Sequence, residues 1–168
     1  MPFDNTMPTP AFLICSDNHL NSSLTQFENT ILKHPHRKTV GDVALRELCG
    51  ALEQPHGVYV FFNQNGKVEY VGKATSRSFI ERLPAHFDPR ENAWFNTLTR
   101  RLQGFQQITY PSALAAALEL KVILVGIGNT QLSSQLERFL RTSLIPRLNS
   151  RRRQQDDPDP ATRLSDLI

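Results

Sequence analysis

The sequence predicts a small α/β (α+β) domain, in which a three-stranded mixed sheet is flanked by helices and preceded by a helical extension. Two runs rich in strand-forming residues surround an Asn-Gly pair at Asn65-Gly66. A short apolar run follows at 121–125, and an apolar stripe of helical period runs through 131–144. Strands that alternate with helices bury both layers in one core, which favours this fold class.

Residues 1–54 are predicted to form an arm and a helical extension. Residues 1–10 hold three prolines and few apolar side chains, which is typical of an arm without fixed structure. Apolar residues at helical spacing predict one helix over 22–33, which Pro35 ends. The same spacing predicts a second helix over 40–53.

Residues 55–150 are predicted to form the globular domain. A β-hairpin is expected over 57–73, with a two-residue turn at the Asn-Gly pair. The other predicted elements are helices over 79–87 and 92–102, a strand over 105–110, a helix over 112–119, a buried strand over 121–125 and a helix over 131–144. Ser78 and Glu81 have the spacing of a capping box. Residues 151–168 are basic and then acidic, and this polar composition predicts a disordered tail.

Composition indicates a globular chain with a basic centre. Hydrophobic residues make up 39% and charged residues 21% of the 168 residues. No apolar run is long enough to span a bilayer and no secretory leader is seen, so we expect a cytoplasmic location and no membrane partner. Cys15 and Cys49 are interpreted as reduced thiols, with one disulfide as the alternative. Residues 55–150 hold 11 Lys+Arg against 6 Asp+Glu, which fits either a polyanionic partner or a solvated basic surface.

The predicted hairpin brings two tyrosines together. Pairing its strands across the Asn-Gly turn places Tyr59 opposite Gly72, with Tyr70 two positions away on the partner strand. The two phenols therefore become diagonal neighbours on one face. The absence of a side chain at Gly72 is expected to leave room over Tyr59 for a ligand or another backbone. The same pairing places Phe62 opposite Glu69. The alternative interpretation is two half-buried core aromatics with satisfied hydroxyls.

Charged residues after the hairpin suit the chemistry of a phosphodiester. Lys73 and Arg82 could supply cations to a phosphate, and His86 shares a helix face with Arg82. Glu137 on the last helix could bind Mg²⁺, which takes oxygen ligands and often uses one or two carboxylates plus phosphate oxygens. The plainer alternatives are surface cations, a capping or surface histidine, and a Glu137 paired with Arg141 one turn on. The sequence has no Cys/His cluster with zinc spacing and no phosphate-binding loop motif.

Five elements in order resemble the GIY-YIG nuclease family, and its UvrC N-terminal-domain-like catalytic unit in particular. The matching segments are Gly57-Val58-Tyr59, Tyr70-Val71-Gly72-Lys73-Ala74, Arg82-Leu83 with His86-Phe87, Leu136-Glu137, and Leu144-Ile145-Pro146-Arg147-Leu148-Asn149. They span roughly 95 residues. Valine replaces isoleucine in both half-motifs. The segment before Arg82 is about two residues longer than in the shortest members, so Arg77 or Arg82 fills the arginine position. The spacing of Leu83 and His86 favours Arg82.

The resemblance implies a GIY-YIG nuclease-like fold and a divalent-metal-dependent endonuclease, with Mg²⁺ or Mn²⁺ as cofactor and DNA as partner. It implies that Tyr59, helped by Lys73, orients or deprotonates the attacking water, and that Tyr70 holds the phosphate or the water. Arg82 would neutralise developing charge, and Glu137 would hold the single metal ion. Whether Tyr59 or metal-bound water is the effective base stays open, because an unperturbed phenol has a pKa of about 10.

Further candidates surround these residues. The resemblance makes Asn149 the closing asparagine of the site. Arg77 and the run Arg151, Arg152 and Arg153 are candidate phosphate contacts, with a solvated tail as the alternative for the run. A catalytically silent nucleic-acid-binding module that retains the fold is the alternative function.

Overall fold

The computed structural model describes residues 12–14, 24–35, 37–50 and 54–149. The strands are β1 (Phe12–Ile14), β2 (Lys38–Thr39), β3 (Gly57–Phe62), β4 (Val68–Ala74) and β5 (Lys121–Gly126). The α-helices are α1 (Leu24–Lys33), α2 (Leu45–Gly50), α3 (Phe79–Ala85), α4 (Thr97–Gln106), α5 (Tyr110–Leu118) and α6 (Thr130–Leu144). The arrangement is an α+β fold, as the order of predicted elements indicated.

One sheet organises these elements, in the order β1-β5-β3-β4, with β2 beside β5. Strand β3 pairs antiparallel with β4 and with β5, which gives the three strands that the sequence predicted. The sheet is larger than predicted, because β1 adds in parallel and β2 adds antiparallel to β5. Both added strands are too short to show a period of two, so the sequence pattern could not reveal them.

The sheet is covered by helices on both faces, which explains why every residue of β3 is buried. Alternate residues of a strand point to opposite faces, so β3 feeds two separate cores. One core lies under α3, α4 and α5 and contains Tyr59, Phe61, Tyr70, Phe79, Leu83, Leu98 and Leu102. The other lies under α1 and α6 and contains Phe27, Ile31, Val58, Val60, Val71, Leu136 and Leu140. The elements before residue 55 therefore share the sheet and the core of the segment that follows.

The hairpin has the predicted register over most of its length and departs from it near the turn. Tyr59 pairs with Gly72, as predicted, but the register shifts after Phe61, so Phe62 faces Val68 and the predicted partner Glu69 forms a bulge. The predicted two-residue turn is also wrong. Asn63 N–H donates to the Lys67 carbonyl over 2.9 Å, and the chain turns over residues 64–66, with φ of +77° at Gly66. Loops of three residues that end in a left-handed glycine are the next most common hairpin type.

Three other element predictions need correction. The helix predicted over 40–53 is a 3-10 turn at Val40–Asp42 followed by the short α2, and residues 51–53 lie outside the described residues. The helix predicted over 92–102 begins later, at Thr97, and runs on to Gln106. The strand predicted over 105–110 does not exist, because this stretch is the junction of α4 and α5. Gln107 there adopts φ of +56° and ends α4.

The remaining helices follow their sequence signals. Ser78 and Glu81 form the predicted capping box of α3. Asn129 caps α6 by accepting hydrogen bonds from two backbone N–H groups, and the helix ends at Leu144, where Ile145 adopts φ of +44°. The predictions for the arm, for Cys15 and for residues 151–168, including Arg151, Arg152 and Arg153, concern residues outside those that the structure describes. Within the part of the chain that is described, no helix is long and apolar enough to cross a membrane.

Candidate functional site

Tyr59 and Tyr70 lie together, as their strand positions predicted. Their ring centroids are 6.3 Å apart and their planes differ by 20°, and the two side chains are 1% and 6% exposed. The sequence had suggested open space over Gly72, but this space is filled. A Cβ at Gly72 would lie 2.3 Å from Cζ and 2.4 Å from Oη of Tyr59, so the phenol itself fills that space. Gly72 therefore fixes where the Tyr59 hydroxyl sits.

His86 forms a hydrogen bond with the Tyr59 hydroxyl. Its Nε2 lies 2.7 Å from Tyr59 Oη, and its Nδ1 accepts a hydrogen bond of 3.3 Å from the backbone N–H of Leu98, in the first turn of α4. Burial, and then the charges of Arg82 and Arg101, lower the pKa of His86 to about 3, so the ring is neutral at physiological pH. A neutral ring whose Nδ1 accepts must carry its proton on Nε2. Tyr59 Oη is then an acceptor towards His86.

Arg82, rather than Arg77, stands beside the phenols. The Arg82 guanidinium lowers the pKa of the Tyr59 phenol, which places its charge near that hydroxyl. Its Nη1 atom is buried and has no hydrogen-bond partner among the described residues. Arg77 is exposed, and its guanidinium lies 4.2 Å over the ring of Phe95. A buried guanidinium N–H without an acceptor costs free energy, and an anion would satisfy it.

Both phenols stay protonated at neutral pH. Burial raises the pKa of Tyr59 well above its ordinary value, and the nearby Tyr70 and Glu137 add to the rise, while Arg82 opposes it. Burial likewise raises the pKa of Tyr70, against the charges of Arg101, Arg82 and Arg141 and with that of Glu137. The hydroxyls are therefore hydrogen-bond donors, and not ready-made bases.

Asn149 closes the free edge of β4. Its Nδ2 donates to the Val71 carbonyl over 2.8 Å, and its Oδ1 accepts from the Val71 N–H over 2.6 Å. The backbone N–H of Leu148 donates to the carbonyl of Glu69 over 2.9 Å in the same way. An edge strand offers such unpaired groups to solvent, and the segment after α6 satisfies them here. Asn149 thus fixes the strand that carries Tyr70.

Glu137 projects from α6, on the layer that covers the other face of the sheet, but its charge still reaches both phenols. Its side chain is 14% exposed and forms an ion pair of 2.9 Å with Arg141, one turn along the helix. The two residues line an open pocket of about 560 Å³ together with Asn149. This is the ion pair of the plainer sequence interpretation, and it occurs next to the candidate site.

The only partner of the Glu137 carboxylate described above is Arg141, so its capacity to hold a metal ion must be judged from the donors around it. Across the residues that the structure describes, no group of three or more His, Cys, Asp and Glu side chains could hold a metal ion. A single carboxylate beside an open pocket fits Mg²⁺ or Mn²⁺, because these ions take hard oxygen ligands and complete their shell with water and phosphate oxygens. The donor set therefore fits a metal ion that binds together with substrate.

Lys73 occupies a different position from the other predicted site residues. It is exposed and alternates with Gly72 along β4, so it points towards the α6 layer. Its Nζ donates to Ser134 Oγ on α6 over 3.1 Å. Lys73 thus lies on the face of the sheet that α6, the helix of Glu137, covers. The phenol of Tyr59 lies on the opposite face.

Sequence reasoning missed Arg101. Its Nη1 donates to the carbonyl of Leu148 over 2.7 Å, and its guanidinium lies 5.8 Å over the ring of Tyr70. It therefore links α4, the segment that carries Asn149, and the second phenol. Arg101 follows Arg100 in a helix whose ends were mispredicted, and no local pattern distinguishes it from a surface arginine.

Comparisons of the chain with protein-family models, with curated proteins and with solved structures find no significant match. The resemblance to GIY-YIG nucleases therefore depends on the residues of this chain and on their order.

Proposed function

We propose that this protein is a divalent-metal-dependent endonuclease of the GIY-YIG type that hydrolyses phosphodiester bonds of DNA. The observation that carries the proposal is the buried, unpartnered Nη1 of Arg82 beside two phenols that also feel the charge of Glu137. A guanidinium, two hydroxyl donors and a carboxylate are a set that can bind a phosphate and a cation together. The hairpin, the third antiparallel strand and the glutamate helix support a GIY-YIG nuclease-like form of the α+β fold.

Arg82 binds a non-bridging oxygen of the scissile phosphate in this proposal. Charge on these oxygens grows as water attacks, so a fixed guanidinium stabilises the transition state more than the ground state. Arg101 adds positive charge near Tyr70, at 5.8 Å from the centre of its ring. Two arginines held by the fold supply this field without reorganisation during the reaction.

The two tyrosines position reactants. Tyr59 accepts from His86 Nε2, so its own proton points away from His86 and is available to a phosphate oxygen or a water molecule. Tyr70 lies parallel to it and offers a second hydroxyl. Because burial keeps both phenols protonated, we assign them to orienting the attacking water and the phosphate, and not to removing a proton at the outset.

Glu137 would hold Mg²⁺ or Mn²⁺. The ion, when bound, supplies positive charge to the phosphate and to the leaving oxygen. Arg141 is the present partner of the carboxylate, so binding requires that the ion pair of 2.9 Å opens or shares the second oxygen. The pair lines an open pocket, and exposed ion pairs typically contribute only about 0–1 kcal/mol, so a metal ion with a phosphate can replace it.

The second candidate is a nucleic-acid-binding module that retains the fold without catalysis. The Glu137–Arg141 ion pair favours it, because a carboxylate neutralised by arginine is a weaker metal ligand. The arginines near the phenols would then serve phosphate binding alone.

Cleavage of supercoiled plasmid DNA with Mg²⁺ or Mn²⁺ tests the proposal. We expect the parent chain to cut, and the Glu137→Gln variant to lose at least about two orders of magnitude in rate while remaining folded. Glu119→Gln is the matched control, because Glu119 is an exposed glutamate outside the site. A parent chain that binds DNA but cuts with neither metal supports the silent module. Equal rates for parent and Glu137→Gln contradict the assignment of Glu137.

A further inference from the structure

Trp94 is the only tryptophan of the chain, and its side chain is 88% exposed. Large aromatic side chains are seldom left so open unless they meet a partner. Its neighbour Phe95 is also exposed, and the two ring centroids are 6.4 Å apart. Together they form a small aromatic surface in the loop between α3 and α4.

Positive charge surrounds this aromatic surface. The guanidinium of Arg77 lies 4.2 Å over the ring of Phe95, and that of Arg82 lies at 5.9 Å. Trp94 also lines a pocket of about 260 Å³, whose other lining residues include Arg100 and Arg101. Of the two acidic residues in this loop, Asp88 is paired with Arg90 at 2.7 Å, and Glu91 accepts a hydrogen bond of 2.9 Å from Gln103 on α4. The surface therefore suits a partner that carries both flat rings and negative charge.

The loop holds its shape through hydrogen bonds to its own backbone carbonyls. The Nδ2 atom of Asn96, which is fully buried, donates to the carbonyls of Arg90 and Glu91 over 3.1 and 2.9 Å. The hydroxyl of Tyr110 donates to the Asp88 carbonyl over 2.6 Å. Trp94 is thus presented by a fixed loop, so little conformational entropy is lost when a partner stacks on it.

Two arginines connect this surface with the candidate active site. Arg82 stands beside the Tyr59 phenol and also over Phe95. Arg101 lines the pocket next to Trp94 and also lies over Tyr70. A nucleotide that stacks on Trp94 would therefore adjoin a phosphate held by these arginines.

We infer that Trp94 and Phe95 stack on an unpaired base of a DNA strand next to the cleaved phosphate, so that the substrate is DNA with an unpaired segment at the cut. Aromatic side chains combined with arginines are the usual means of binding unpaired bases, because every base offers a flat face while its phosphates meet the cations. A duplex without distortion keeps its bases stacked and offers no face to Trp94. This inference rests on the proposed function for the site of cutting, but not for the binding of the base.

The test is binding of single-stranded DNA by the full chain in EDTA, so that no cutting occurs. Because Trp94 is the sole tryptophan, its intrinsic fluorescence reports directly on stacking. We expect a saturable quench with an oligothymidylate and little quench with a matched blunt duplex. Trp94→Ala should weaken binding of the single strand by about 5- to 100-fold, which corresponds to the stacking of one base. Trp94→Phe should recover part of the affinity, and Leu45→Ala, at a comparably exposed apolar residue, should bind like the parent.

Two outcomes overturn the inference: unchanged fluorescence at saturating single-stranded DNA, or equal affinity of Trp94→Ala and parent. Cutting of a DNA duplex that carries an unpaired segment, by the parent and by the Trp94→Ala variant with Mg²⁺, separates this inference from the proposed function. If the parent chain stacks DNA on Trp94 but never cuts it, the inference about Trp94 stands and the proposed function is wrong. If the chain cuts with Mg²⁺ and the Trp94→Ala variant binds single strands as well as the parent, the proposed function stands and the inference about Trp94 is wrong.

Discussion

The hydroxyl of Tyr59 and Nε2 of His86 lie 2.7 Å apart in the buried layer between β3 and α4. The Leu98 N–H occupies the other ring nitrogen, so the imidazole donates to the phenol and cannot accept its proton. His86 thereby sets the direction of the Tyr59 O–H bond. It also ties the chemistry of the site to the first turn of α4.

The burial of His86 predicts a pH-dependent contribution to stability. Its pKa is about 3 in the folded chain against about 6.5 when unfolded, so the unfolded chain binds the extra proton between these values. The free energy of unfolding should therefore fall as pH falls from 6.5 towards 3, by up to about 1.4 kcal/mol per pH unit from this residue. His86→Gln cannot titrate and lacks this dependence. Urea unfolding of parent and variant between pH 4.5 and 7 measures the difference.

We expect the stability advantage of the parent over His86→Gln to shrink steadily on acidification. Carboxylates titrate in both proteins and cancel in the comparison. An advantage that is the same at pH 4.5 and pH 7 means that His86 is not held neutral by the fold.

Gly72→Ala should destabilise the protein through Tyr59. The added Cβ would fall 2.3 Å from Cζ of the phenol, and overpacking of this kind costs about 1–3 kcal/mol. The loss should be much smaller in a Tyr59→Ala background, because the obstructing ring is gone. Gly104→Ala on α4 is the control, since a Cβ there meets no heavy atom within 4 Å. It should stabilise the helix by about 0.5–1 kcal/mol. Equal costs of Gly72→Ala in both backgrounds would argue against the contact.

Asn149→Ala should expose the edge of β4. Both Val71 backbone groups lose their partner, which costs about 1–3 kcal/mol, and the Val71 amide should exchange hydrogen faster. Asn149→Asp keeps the acceptor for the Val71 N–H but places a carboxylate against the Val71 carbonyl. That variant should be destabilised while its Val71 amide stays protected. If amide exchange at Val71 is unchanged in Asn149→Ala, the side chain does not hold the strand.

Arg82 and Arg77 should differ sharply in DNA cleavage. Arg82→Ala removes the guanidinium beside Tyr59 and should lower the rate by about 10²–10³, the usual loss for one transition-state contact. Arg77→Ala removes an exposed charge and should lower the rate by less than about tenfold, mainly through weaker binding that high salt masks. Single-turnover rates at saturating DNA separate the two effects. A larger loss for Arg77→Ala would transfer the arginine role to that residue.

The hairpin shows how far sequence alone predicts the fold. The pairing of Tyr59 with Gly72 follows from the period of two and the position of the turn, which are local properties. The period of two does not reveal the bulge at Glu69, whose carboxylate contacts both Asn63 in the hairpin and Arg147, 78 positions away. The buried carboxylate of Glu69 forms an ion pair with Arg147. The backbone carbonyl of Glu69 accepts a hydrogen bond from the backbone N–H of Leu148. Such contacts exist only after the chain has folded.

The predicted start of α4 was wrong for a different reason. The pattern over 92–102 is helical. However, the Asn96 side chain donates to the carbonyls of Arg90 and Glu91 in the preceding loop, and the helix begins only at Thr97. Local hydrogen bonds from an asparagine side chain to the backbone compete here with the helical pattern.

For the candidate site, strand pairing predicted that Tyr59 and Tyr70 lie together, and Arg82 and His86 also lie near Tyr59, whereas Lys73 does not. The sequence did not predict that the Tyr59 ring fills the space over Gly72 or that Arg101 reaches Tyr70. Both facts depend on side-chain placement across elements that are distant in sequence. The burial of the phenols, which decides their protonation, likewise follows from packing under α3 and α4.

The most direct test of the central claim is a crystal structure of the chain with Mn²⁺ and a DNA substrate that carries a non-cleavable linkage. We predict an anomalous scattering peak at the Glu137 carboxylate, at a metal–oxygen distance of about 2.0–2.2 Å, shared with an oxygen of the scissile phosphate. That phosphate should accept hydrogen bonds from Arg82 and from a tyrosine hydroxyl. A metal bound elsewhere, with the Glu137–Arg141 ion pair intact and the phosphate away from both phenols, would contradict the account.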